Sequence, residues 1–192
     1  MKKISKILTI LLVVAFMFGS ISVQAAPQVV QLTPGFVDQG TLVKMFNNEH
    51  YAYYILYDDL NRLTSWDRFN KNGNWEARIF VESLNDAAKK ELKEVIDNDA
   101  KQNSELKKQA AVQEGKIWGL GQTLKYNVRA KTVNIIQTSY YGDKGEIVYQ
   151  KSGIEISLND NSELAKYYTM LCTDITNVLD QVSNDAHTKK QN

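Results

Sequence analysis

Few side chains in this sequence are suited to catalysis, and their spacing keeps them apart. Histidine occurs twice, as His50 and His187, and cysteine once, as Cys172. A zinc site needs three or four ligands at defined spacing. Two distant histidines and one thiol do not supply them, so no metal site is expected. A Cys172–His50 nucleophile pair would need a basic neighbour to lower the thiol pKa, and Leu171, Thr173 and Asp174 around Cys172 offer none. No G-x-S-x-G, P-loop or dinucleotide fingerprint occurs. "GLGQTLKYN" from Gly119 has a G-x-G but lacks the third glycine and a following βαβ pattern. The acidic clusters Asp58-Asp59 and Asp97-Asn98-Asp99 do not match a calcium loop with its spaced oxygens and distal Glu. The expectation is a chain without catalytic residues and without a cofactor. A carboxylate pair assembled by the fold remains the alternative.

Aromatic residues are the other candidates. "VNIIQTSYYGDKGEIVYQ" (Val133 to Gln150) holds three tyrosines, and "YAYYILY" (Tyr51 to Tyr57) holds four. Tyr favours interfaces because one end is apolar and the other polar. Tyr51, Tyr53, Tyr140, Tyr149 and Trp118 are therefore the candidate binding residues. Tyr140 and Tyr141 must point to opposite faces of a strand. One is expected in the core and the other on an open face. An outward row of Tyr140 and Tyr149 is the binding reading, and ordinary strand packing is the plain one.

The elements that position these residues can be read from periodicity. A strand region begins at Leu42, and "YAYYILY" suits a pleated surface. Asn72-Gly73-Asn74 signals a turn. "WEARIFVES" (Trp75 to Ser83) alternates Trp75, Ala77, Ile79 and Val81 against Glu76, Arg78 and Phe80, which predicts a strand with one buried face. A mostly solvated helix is expected from near Asp86 to near Glu114, capped by Asn85 or Asp86 and stopped by Gly115. Its lysines alternate with acidic residues, as on a solvated helical face. "IWGLGQTLKYNV" (Ile117 to Val128) and "KTVNIIQTSYY" (Lys131 to Tyr141) return to strands. Gly142 to Gly145 turns into "EIVYQ", a hairpin. Leu164, Tyr168, Leu171, Ile175, Val178, Leu179 and Val182 then recur at helical steps, predicting a packed helix from Asn161 to near Val182 with a capping box at Asp160 and Glu163. The fold class is α+β: an antiparallel sheet of about five or six strands with a long charged helix and a packed C-terminal helix. Cys172 lies beside the apolar stripe, which predicts a buried, slow-reacting thiol.

The first 25 residues stand outside this fold. Lys2, Lys3 and Lys6 precede an apolar run from Ile7 to Phe18, and Val23 and Ala25 place small residues at −3 and −1. That is the layout of a secretory signal. The run is too short for a comfortable membrane span of ~20 residues. Export to the periplasm or cell surface is expected, with no stable membrane anchor after cleavage. Residues 26–40 read as an irregular leader, 41–183 as a single domain, and 184–192 as a polar tail. Without the three signal lysines the 23 basic residues become 20 against 22 acidic ones, a charge of about −2. Nucleic-acid binding is not expected, since it calls for a basic excess or patch.

"LKYNVRAKTVNIIQTSYYGDKGEIVYQ" (Leu124 to Gln150), the Cys of "YYTMLC" (Tyr167 to Cys172), "YAYYILYDDLNRL" and "NGNWEARIFVES" together resemble the surface-adhesin protein E-like domain of exported bacterial proteins. The resemblance covers about two-thirds of the chain after the signal. It implies an antiparallel sheet with helices on one face and a role at the cell envelope, by analogy attachment to host or matrix proteins. Such domains often carry a second Cys on the strand before the "YY" strand; Asn127 stands at that position here. A periplasmic small-ligand carrier, with a pocket lined by Tyr51, Tyr53 or Trp118, and a hydrolase with a fold-assembled carboxylate pair are the alternatives.

Overall fold

The computed structural model describes residues 28–29, 41–64, 73–101, 104, 117–142 and 145–188. The expected signal, residues 1–25, lies outside them, as does most of the segment leading to Glu114 and Gly115.

The elements are β1 (Gln28–Val29), β2 (Leu42–Asn47), β3 (Tyr51–Leu56), α1 (Tyr57–Thr64), β4 (Trp75–Ser83), α2 (Asp86–Ala100), β5 (Ile117–Asn127), β6 (Thr132–Gly142), β7 (Ile147–Ser152), β8 (Glu155–Ser157) and α3 (Glu163–Thr188). All strand pairs are antiparallel, and β1 to β7 lie side by side in chain order; β8 pairs with β6 beside β7. The class is α+β, as expected. The sheet is larger than expected because two short strands join it: β1 in the leader and β8 after Gly153. Neither carries enough alternation in two or three residues to be read from sequence.

Alternate strand residues and the three helices of the described residues share the main core. Trp75, Ala77, Ile79 and Val81 of β4 bury there with Leu60 and Leu63 of α1, Leu92 and Ile96 of α2, and Tyr168, Leu171, Ile175 and Leu179 of α3. At roughly 25 cal/mol per Å² of apolar surface, this face supplies most of the folding drive. Cys172 is 0% exposed within it.

Local chemistry sets the helix ends. Asn85 caps α2 by accepting from the Ala88 amide at 3.0 Å. Ser162 caps α3, its hydroxyl accepting from the Ala165 amide at 3.2 Å. Asp160 instead accepts from the Ser162 amide at 3.2 Å, so the helix starts two residues later than the Asn161 expectation. It also continues to Thr188, through the start of the expected polar tail, because no Gly or Pro interrupts the turns after Val182. Helix α1 was not foreseen. Its eight residues show only Asp58 and Asp59 at the favourable N-terminal end and the i,i+3 pair Leu60 and Leu63.

Two backbone features shape the sheet. Gly73 (φ 64) and Gly145 (φ 80) take the left-handed conformation before β4 and β7, where Gly has no Cβ penalty. At the β7–β8 joint the Gly153 amide donates to Ile136 O at 3.0 Å, and Ile154 O accepts from the Ile135 amide at 2.9 Å. A Cβ on Gly153 would lie 0.9 Å from Ile135 O, so only glycine allows this crossing.

Candidate functional site

Of the five aromatic residues singled out from the sequence, four are buried and Tyr149 is half-buried against the core. Tyr51 is buried, and its hydroxyl donates to Glu91 Oε2 at 2.8 Å across to α2. Tyr53 is buried beside it, stacked on Phe46 at 4.8 Å, and burial pushes its phenol up to about 12. Tyr140 is 1% exposed and stacks on half-buried Tyr149 at 5.8 Å and 15°. The Lys151 ammonium lies 5.7 Å from the Tyr140 ring centre. Trp118 is buried in a second cluster, and its indole N–H donates to Gly142 O.

The outward Tyr140–Tyr149 row is therefore corrected. Both pack against the main core. Tyr140 and Tyr141 do take opposite faces, but Tyr141 is also buried, at 3%. The physical reason is a second apolar cluster on the other face, formed by Leu42, Ala52, Tyr54, Leu56, Phe80, Trp118 and Tyr141. The single buried face expected for β4 is corrected likewise, since Phe80 is 3% exposed.

This second face holds a cleft of about 130 Å³. Strand register builds it in three rows. Arg78, Thr123 and Gln137 are neighbours across β4, β5 and β6; Phe80, Gly121, Ser139 and Gln150 form the next row; Tyr141 and Ile147 lie in the third. Gly121 has no side chain, so the rings of Phe80 and Tyr141 lean over its Cα from either side. A Cβ there would meet Tyr141 Cε2 at 3.1 Å and Phe80 Cδ1 at 3.2 Å. The two rings, 6.3 Å apart at 44°, form the apolar wall. Gln150 Nε2 donates to Ser139 Oγ at 2.9 Å, which orients the polar side. Gln122 turns the other way, its carboxamide bonded to the Tyr168 hydroxyl at 2.9 Å.

Among the described residues, Arg78 is the one charged side chain in the cleft lining. The last pairing of β3 with β4 at this end is Ile55 with Ile79. One step further the chain has turned into α1, and the Arg78 amide donates instead to Asp59 Oδ2 at 2.9 Å. Arg78 Nε meets the same oxygen at 3.0 Å, and Arg62 Nη2 meets Asp59 Oδ1 at 3.2 Å. Burial works against the Asp59 charge, but the hydrogen bonds from Arg78 and Arg62 outweigh it and hold the carboxyl below the usual range. A carboxylate so held is a poor proton acceptor and a good structural anchor. Glu82, next along β4 on this face, accepts from the Tyr54 hydroxyl at 2.6 Å.

The thiol of Cys172 is pushed up to about 12 by burial. Asn127, where the resembled domains often carry a second Cys, accepts from the Ala130 amide at 3.0 Å and closes the β5–β6 turn. Among the described residues no three His, Cys, Asp or Glu side chains gather at metal-binding distance. None of the candidate aromatics lines the cleft. Sequence reasoning missed it, although Gly121 inside a strand marks a close approach. No family model, curated protein or solved structure matches this chain.

Proposed function

We propose that the chain is an exported, non-enzymatic binding module of the bacterial envelope, and that it recognises a protein partner through the second face of its sheet. The observation that carries this reading is the cleft beside Gly121. It combines an aromatic wall with hydroxyl, carboxamide and guanidinium groups, the mixture that fixes orientation in binding sites. Its size separates the alternatives. Pockets that enclose a whole small ligand run to about 300–1,000 Å³, whereas about 130 Å³ takes a single side chain. That size favours a protruding residue of a partner over a carried small molecule. The hydrolase alternative gains nothing from Asp59, which is held by two arginines. The secretory signal and the resemblance to surface-adhesin protein E-like domains support a place at the envelope, with host or matrix proteins as the partner class.

The test is surface-plasmon resonance against a panel of purified extracellular-matrix proteins. Wild type is compared with Gln137→Trp, which places a large side chain at the cleft from an exposed position. Saturable binding weakened at least about tenfold, ~1.4 kcal/mol, by the substitution is expected. Equal binding by both proteins, or none across the panel, would overturn the proposal.

A further inference from the structure

We infer that the partner docks an extended segment of its chain on the outer edge of β7, adding it to the sheet as a further antiparallel strand. This rests on the partner being a protein that meets the second face. β7 closes one side of the sheet: it pairs with β6, and among the described residues no strand pairs with its other edge. The Gly153 amide donates inward to Ile136 O and the Gly142 amide to Glu146 O, flanking the pairs Ser152–Gln137 and Ile147–Tyr141. Backbone groups alternate between the two edges of an antiparallel strand, so the N–H and C=O of Ser152, Gln150 and Ile147 turn away from β6. All three residues are exposed. Donors and acceptors repeated in this way along an edge are matched by another extended backbone.

Side chains place the added strand against the second face. Ile147 and Gln150 line the cleft, so a strand beside them presents alternate side chains at the open margin of the cleft. Ile147 is 47% exposed and gains from an apolar cross-strand neighbour, whereas Gln150 takes a polar one. Edges are commonly guarded by a lysine or a bulge, and β7 has one of each. The Lys151 ammonium lies 5.7 Å from the Tyr140 ring centre, on the main-core side and off the outward row. The bulge lies between Ile147 and Tyr149, which leaves Tyr149 to Ser152 regular. That bulge also argues against a second copy of the chain as the occupant. It sets Ile147 three residues from Gln150, while Ser152 is two away. A two-fold centred on Gln150 therefore matches Ser152 with Val148, inside the bulge. A two-fold centred on Lys151 matches Gln150 with Ser152 but sets the two Lys151 side chains directly opposite, and like charges so placed are destabilising. An unrelated strand carries neither mismatch.

The experiment is an NMR titration of the ¹⁵N-labelled full chain with the peptide acetyl-Thr-Val-Thr-Val-Thr-Val-amide. A second titration uses the same peptide N-methylated at every residue, which keeps the side chains and removes the donors. The plain peptide is expected to move the amides of Gln150 and Ser152 downfield and slow their hydrogen exchange, with a dissociation constant on the order of 1 mM. The methylated peptide should bind at least about tenfold more weakly. Ser152→Pro, a change that an edge strand tolerates where the N–H faces solvent, should weaken the plain peptide at least about threefold. Comparing the two peptides on the unaltered protein keeps the test valid if that variant folds poorly. Equal binding of both peptides, or no change at Gln150 and Ser152 up to about 10 mM, would overturn the inference. So would shifts at these amides that grow with protein concentration alone, which would make a second copy the occupant. Matrix-protein binding lost in Gln137→Trp but unchanged in Ser152→Pro would overturn the added strand and leave the cleft as the site.

Discussion

Asp59→Ala removes the acceptor that holds the end of β4 to α1. The Arg78 amide, the Arg78 guanidinium and the Arg62 guanidinium lose the Asp59 carboxylate as an acceptor, while Arg62 keeps its bond to Glu76 O. The amide matters most. It belongs to a strand whose neighbour has ended, and leaving such a donor unsatisfied costs ~1–3 kcal/mol. The two ion pairs contribute less. The arginine side chains are 51% and 40% exposed, so each pair is discounted to ~0.5 kcal/mol. The total is about 2–4 kcal/mol, which lowers Tm by about 5–12 °C in a domain of this size. Urea and thermal unfolding followed by circular dichroism measure it. The pH dependence gives a second readout. The folded-state carboxyl lies below its unfolded value, near ~3.9, so its contribution is fully present above that value. It is lost as pH falls through the folded-state value. The gap between wild type and Asp59→Ala should therefore be widest at pH 6–7 and close in strong acid. A loss under ~0.5 kcal/mol, or a gap that does not change with pH, would refute the reasoning.

Gly153→Ala puts a Cβ within 0.9 Å of Ile135 O; because the β7–β8 crossing must move, a loss of at least ~3 kcal/mol is expected, and urea midpoints equal to wild type would show that the crossing is not needed. Cys172 should react with a thiol reagent only on unfolding, and Cys172→Ser should cost ~1–2 kcal/mol through a buried hydroxyl without a partner; rapid stoichiometric labelling of the folded protein would contradict its burial. Burial raises the Asp174 carboxyl, and its Oδ2 has no hydrogen-bond partner. The raised value favours the folded state most below the unfolded pKa, and this advantage is lost as pH rises through the folded one. Asp174→Asn should therefore stabilise the protein at neutral pH and lose that advantage in acid, as denaturant midpoints at pH 7 and pH 3 would show.

Local pattern alone carried the main elements. The period of two in Trp75–Ser83 and the three- and four-residue steps after Leu164 depend only on which residues must share a face, so β4 and most of α3 could be read before any contact was known. The same holds for the burial of Cys172, since helical geometry places it between Tyr168 and Ile175. Sequence could not say what lies across from each residue. Tyr51, Tyr53 and Tyr140 look like interface residues in isolation, and only the packing of α2 and α3 on the sheet makes them interior. The second apolar cluster is likewise drawn from β2, β3, β4, β5 and β6. The cleft depends on register: Phe80, Gly121 and Ser139 come from three strands and become neighbours only when pairing aligns them. Asp59 is the sharpest case. In sequence it is one of two adjacent acids, and its role is set by a strand amide left unpaired where β3 ends, a vacancy that exists only once the sheet has formed.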